Sequence, residues 1–211
     1  MLVVVDETLW ECLLMNADPD SKDAKEFAFA PDHVARYRQE VLTRPEQDGQ
    51  AVLHRLLRQR KEEAQEDGVD WEDAVLGKLA GGEENNCYLS YWDADTERTV
   101  PLILAKIPVK NPWEIFAWLP FGGWNECPDT PELMAIANYW YQRYGAVPAV
   151  MTHDQLEFTL PTPAPRARAM ELVQEQYGFC PDVVDQDAGE ATVGRLADTL
   201  WRSDKWYFWW D

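Results

Sequence analysis

Two short stretches carry the residue types from which chemistry could be built. The first is Phe121-Gly122-Gly123-Trp124-Asn125-Glu126-Cys127-Pro128, just ahead of a helix start. Paired glycines let a backbone turn sharply or come close to a ligand. Cys127 precedes the helix N-terminus, where the dipole lowers a thiol pKa and favours the nucleophilic thiolate. Trp124, Asn125 and Glu126 offer an aromatic face and polar ligand contacts beside it. The second stretch is His153-Asp154. A Cys–His pair can activate a thiolate, with Asp154 orienting the imidazole. Neighbouring strand residues point to opposite faces, so this arrangement requires a turn. The plainer reading is that the glycines serve the turn, Cys127 packs as a small hydrophobe and Asp154 supplies turn hydrogen bonds.

Metal chemistry has weaker support. Cys127, His153, Cys180 and Asp182 are suitable ligand types, but none is spaced as in a zinc finger and H-E-x-x-H is absent. Asp182, Asp185 and Asp187 form an acidic loop without the EF-hand pattern. No phosphate loop with Lys-Ser/Thr is present. Neither metal nor cofactor is therefore expected. The one basic cluster, His54 to Lys61, reads as the solvated face of an amphipathic helix. Cys-Pro-Asp occurs twice, at Cys127 and Cys180, both at helix ends where Pro and Asp are routine.

The 211 residues carry 38 acids against 19 Lys and Arg, a net charge of −19. Both halves are acidic, the first more so. Phosphate-backbone binding needs the opposite sign, which argues against nucleic acid. A basic protein partner suits this field. Eleven Trp exceed ordinary usage and belong to cores and recognition surfaces. The four cysteines are scattered, as in a reducing compartment. Met1 to Val5 runs at once into Asp6 and Glu7, unlike a signal peptide, and no apolar run is long enough to span a membrane. The expected location is the cytoplasm.

These stretches need elements to hold them. Leu2 to Val5 reads as a strand and Asn16 to Lys25 as a polar loop. Helices are expected over Pro31 to Leu42, Pro45 to Asp67 and Val69 to Leu79, the last stopped by Gly81-Gly82. A polar hinge follows at Glu83 to Asn86. Cys87 to Trp92 and Thr99 to Ile107 read as a hairpin, and Trp113 to Leu119 as a further strand. Asp129 caps a helix with Pro131 in its first turn, and Gly145 stops it. Leu133, Ile136, Ala137, Trp140 and Tyr144 form its apolar stripe. Strands from Ala146 to Met151 and Leu156 to Leu160 flank the His153 turn. Helices follow over Pro165 to Tyr177 and Ala191 to Trp201. Trp206 to Trp210 is aromatic on both faces, so it reads as an interior strand covered on both sides, with the fold finishing at its last residue.

Three blocks together resemble the bacterial domain-of-unknown-function family 4253. They are Leu119 to Pro128 (LPFGGWNECP), Phe179 to Gln186 (FCPDVVDQ) and Trp206 to Asp211 (WYFWWD). The resemblance is strongest over residues 99–211. It implies a bacterial or phage-borne intracellular protein and brings no catalytic residue with it.

The expected fold is α+β, a mixed sheet flanked by helices, with a mainly helical N-terminal region over 1–84 and an α+β domain over 85–211. The expected function is an acidic cytoplasmic binding protein of the immunity or antitoxin kind that neutralises a basic partner protein, contacting it through the Trp124 loop and the acidic N-terminal half; the candidate binding residues are Trp124, Asn125, Glu126, Cys127, His153 and Asp154. The alternative is a small hydrolase or transferase using Cys127 and His153 or a bound metal. A homodimer burying the aromatic strand is compatible with either.

Overall fold

The computed structural model describes residues 1–4, 8–9, 11–13, 31–93, 96–186 and 192–211. The polar loop expected over Asn16 to Lys25 lies outside them. Five strands form one mixed sheet in the order β4-β1-β5-β6-β7. They are β1 (Leu2–Val4), β4 (Leu102–Leu104), β5 (Val147–Met151), β6 (Gln155–Thr159) and β7 (Lys205–Trp209). Strand β1 runs parallel to β5, and every other pairing is antiparallel. The fold is thus α+β, and the N-terminal residues contribute a strand to the same sheet as the C-terminal ones.

The helices behave largely as their patterns dictate. Helix α1 spans Pro31–Thr43. Helix α2 spans Gly49–Glu66, starting later than Pro45 because Asp48 caps it, accepting from the N–H groups of Gln50 and Ala51. Helix α3 spans Thr130–Tyr144, with Asp129 accepting from Glu132 N–H at its start and Gly145 left-handed at its end. Its predicted stripe is buried throughout. Helices α4 (Ala169–Phe179), α5 (Asp182–Asp185) and α6 (Val193–Leu200) complete the layer. Helix α2 packs on α3 and α4, and α4 packs on α6. No helix among the described residues is long and apolar enough to cross a membrane.

Three expectations are corrected. Trp113 to Leu119 is not a strand; Pro112–Ala117 is a 3-10 helix. Ile115, Phe116 and Ala117 are all buried, and Glu114 accepts from Lys110 N–H and Asn111 Nδ2 at its start. A short apolar run beside Pro does not distinguish a buried strand from a buried helical turn. Val69 to Leu79 is a single wide π-helical turn, Trp71–Leu76, which ends at Gly77 rather than at Gly81-Gly82. A Cβ at Gly77 would lie 2.8 Å from Thr192. The Cys87–Ile107 hairpin shrinks to β2 (Trp92–Asp93) and β3 (Arg98–Thr99), while β4 leaves to pair with β1.

Strand β7 departs from expectation in a further way. Among the described residues it lies at the sheet edge, pairing with β6 alone. Trp206, Phe208 and Trp210 are fully buried, whereas Tyr207 and Trp209 are half-buried. The second aromatic face is thus partly wet, which the polar tips of Tyr and Trp tolerate. On the buried side, Trp140 of α3 stacks on Phe208 with centroids 5.6 Å apart and planes 7° apart. Phe158, Phe179 and Trp206 meet the same indole edge-on. Glu175 makes this core tolerable to polar atoms, accepting from Trp140 Nε1 at 3.3 Å and Tyr139 Oη at 2.8 Å.

The opposite face holds Glu157, which is fully buried. Its carboxylate accepts from the N–H groups of Leu89 and Ser90, tying residues 87–91 across the sheet as a strap. The expected hinge is likewise anchored. Gly82 N–H donates to Asp198 Oδ2 at 3.1 Å, Asn85 N–H to Ser203 Oγ at 2.7 Å, and Asn86 Oδ1 accepts from Asp204 N–H at 3.2 Å.

Phe208→Ala is expected to cost about 3–5 kcal/mol of unfolding free energy, the range for deleting a buried ring. Tyr207→Ala should cost clearly less. Urea midpoints compare the two, and equal losses would contradict one-sided burial. Burial also raises the carboxyl pKa of Glu157, Glu175 and Asp185. The folded chain then holds these protons more tightly than the unfolded chain, so the stability term falls as pH rises through the raised values and recovers on acidification toward about pH 4. Glu157→Gln removes one such titration, so its stability should depend less steeply on pH between neutrality and that range, as read from urea titrations at each pH.

Candidate functional site

The 121–128 loop is shaped by its own closure. Gly122 and Gly123 have φ of 87° and 79°. A Cβ at Gly122 would fall 2.0 Å from the carbonyl oxygen of Pro128, so no other residue fits. Gly123 N–H donates to the carbonyls of Cys127 and Pro128 at 3.2 and 3.1 Å. The glycines therefore serve the turn. Asn125 takes a left-handed φ of 44°, which Asn tolerates, and its Nδ2 donates to the backbone oxygen of Asp211. Trp124 packs edge-on against Phe121 with centroids 4.7 Å apart.

Cys127 is 5% exposed and part of the core. Burial pushes its thiol well above the ordinary value, outweighing the helix N-terminus beside it. Cys127 lies in the core, whereas the His153 side chain is 38% exposed. Burial raises the Cys180 thiol too, and its Sγ donates to the backbone oxygen of Trp209 at 2.9 Å. Among the described residues, no group of three or more His, Cys, Asp or Glu is placed to hold a metal.

The His153-Asp154 turn does have a built geometry. Asp154 Oδ1 accepts from Thr152 Oγ1 at 2.7 Å and Oδ2 from Trp209 Nε1 at 2.9 Å. His153 Nε2 lies 3.6 Å from Asp154 Oδ2 and is partly open to solvent. The backbone oxygen of Asp154 accepts from Trp210 N–H at 3.1 Å. The carboxylate thus anchors the last strand while the imidazole stays at the surface.

Two of the site residues, Asn125 and Asp154, consequently meet around residues 209–211. Asn125 reaches Asp211 from the glycine loop, and Asp154 holds Trp209 and Trp210 from the β5–β6 turn. Asp182 Oδ2 accepts from Asp211 N–H at 3.0 Å. Trp210 packs between Phe121 and Phe179, at 5.7 and 5.2 Å. Of the two Cys-Pro-Asp copies, the second bonds this segment directly through Cys180 and Asp182, while Asp129 of the first caps α3.

Glu126 projects the other way and pairs with Arg60 of α2, while Arg55 pairs with Glu132 of α3. These pairs bridge a polar groove of about 450 Å³ between α2 and the glycine loop. The basic cluster is thus partly an inter-element clasp, where a solvated face was expected. Asp185 accepts from Tyr177 Oη, and Asp187 lies outside the described residues.

Sequence reasoning missed Glu157, Glu175 and Asp198, each a buried carboxylate with partners far away in the chain. Asp198 accepts from Gly82 N–H, Trp201 Nε1 and Arg202 Nη2. Only the Asp198–Arg202 spacing carried a local signal, as an i,i+4 pair.

Residues 103–211, just over half of the chain, match a family model described as a domain of unknown function, DUF4253. No curated protein matches, and no solved structure matches.

An aromatic disulfide reagent should react promptly with exposed Cys87 in the native protein and leave Cys127 and Cys180 untouched until denaturant is added. Mass spectrometry of the labelled peptides checks this. Prompt native labelling of Cys127 would restore the thiolate chemistry.

Proposed function

We propose that this chain, which belongs to the DUF4253 family, is a binding protein that masks a basic protein partner, in the manner of an immunity or antitoxin protein. The observation that carries the reading is how the polar groups divide. Asn125, Asp154, Cys180 and Asp182 are engaged in holding residues 209–211, and Cys127 is buried. The charge that stays in solvent is acidic on balance. The chain carries 19 more acids than bases, and Arg55 and Arg60 are already paired with Glu132 and Glu126.

Such a surface attracts a basic partner at long range and repels nucleic acid. It also fixes how binding should respond to salt. Rim charges act mainly on encounter, so association should slow as ionic strength rises while close contacts set the residence time.

The test is recovery of a partner from the native host with the tagged full chain at low salt. A basic protein in a stoichiometric complex, whose activity the chain suppresses on mixing, is the expected result. Association should slow about tenfold or more between ~0.05 and ~0.5 M salt. Absence of any stoichiometric partner, or a partner whose activity is unaffected, would overturn the reading.

A further inference from the structure

We propose that the free edge of β7 is a docking groove in which an extended, basic segment of the partner joins the sheet as an added strand. The inference rests on the binding reading above and gives it a place and a mode.

The register defines the edge. Trp210 N–H bonds the Asp154 carbonyl and Leu160 N–H bonds the Asp204 carbonyl, so the even-numbered residues of β7 face β6. In an antiparallel ladder the alternate residues then direct their N–H and C=O groups outward. Those residues are Lys205, Tyr207 and Trp209. The outward carbonyl of Trp209 receives the Cys180 thiol, and among the described residues no further strand lies beyond β7.

This edge opens into a groove of about 520 Å³. Leu89, Val183 and Leu196 supply apolar wall. Gln176, 1% exposed, also lines the groove, and its Nε2 has no hydrogen-bond partner. A buried amide donor without an acceptor is costly, and a peptide carbonyl would satisfy it. The groove therefore combines a backbone template, apolar pockets and an idle donor, the parts that strand addition uses.

Charge selects the occupant. Glu83, Glu84 and Asp182 stand at the groove, and Lys205, the one cation among its described lining residues, is already paired with Asp204 at 2.7 Å. Tyr207 and Trp209 present half-buried rings on the same strand, over which a Lys or Arg can rest. An acidic segment would meet like charge, whereas a basic one meets both the carboxylates and the ring faces. About five extended residues would cover the edge.

The experiment titrates the full chain with an acetylated octapeptide of alternating Lys and Val, using its Glu-Val counterpart as control. Calorimetry reads binding and amide hydrogen exchange reads its location. The expected result is binding of the Lys peptide alone, with amide exchange at Tyr207 and Trp209 slowed at least tenfold. Glu83→Gln with Glu84→Gln should weaken it about fivefold, the scale of two exposed ion pairs. Tyr207→Pro removes an outward N–H, which an edge strand tolerates, and should abolish it. If that variant does not fold, the Glu83/Glu84 variant and the exchange map decide. Equal binding of the Glu peptide, or protection at the opposite edge strand β4, overturns the groove. If the recovered partner binds while the amides of residues 205–209 stay unprotected, the groove falls and the binding reading stands. If neither peptide nor partner binds, both fall.

Discussion

The antiparallel ladder between β6 and β7 is the contact on which the rest depends. It places Trp206, Phe208 and Trp210 under the helical layer, where Trp140 stacks on Phe208 and Phe179 closes against both Phe208 and Trp210. Because strand side chains alternate, the same register sends Tyr207 and Trp209 to the other face and the odd-numbered backbone groups to the outer edge. A slip of one residue would exchange the buried and half-wet aromatic sets. Asp154, Asn125, Asp182 and Cys180 all bond to residues 209–211 and so hold that register at its end.

This arrangement explains why groups with chemical potential are engaged in holding the fold. A helix N-terminus lowers a thiol pKa only where the thiolate can be solvated or paired. At Cys127 the thiol is enclosed by its own loop and by the core, and desolvation dominates. Asp154 shows the same logic. A carboxylate beside His153 would suit a catalytic dyad, yet its oxygens already accept from Thr152 and Trp209. The excess of acids left in water is what motivates the proposal of a basic partner.

Buried carboxylates take a different part. Glu157 pins the 87–91 strap to the sheet, Glu175 accepts from Tyr139 and Trp140, and Asp198 ties Gly82 to the end of α6. Each satisfies donors that would otherwise be stranded in a largely apolar interior, which is what makes a buried charge tolerable. Glu157 and Glu175 are also groups through which stability responds to pH.

The chain alone determined the α+β class, the stripe and caps of α3, the β5–β6 turn and the strand character of the aromatic run, because local periodicity, capping residues and Gly/Pro punctuation act over a few residues. It also marked the three blocks that converge on residues 209–211. Tertiary structure decided the rest. Whether Ile115 to Ala117 became strand or helical turn depended on neighbours, as did the early stop at Gly77. The edge position of β7 was hidden, since aromatic residues on both faces look alike whether the second face meets protein or partial solvent. The burial of Cys127 and the anchoring of Glu157 hinge on contacts spanning much of the chain, and desolvation is a property of what surrounds a group, which its neighbours in sequence do not set.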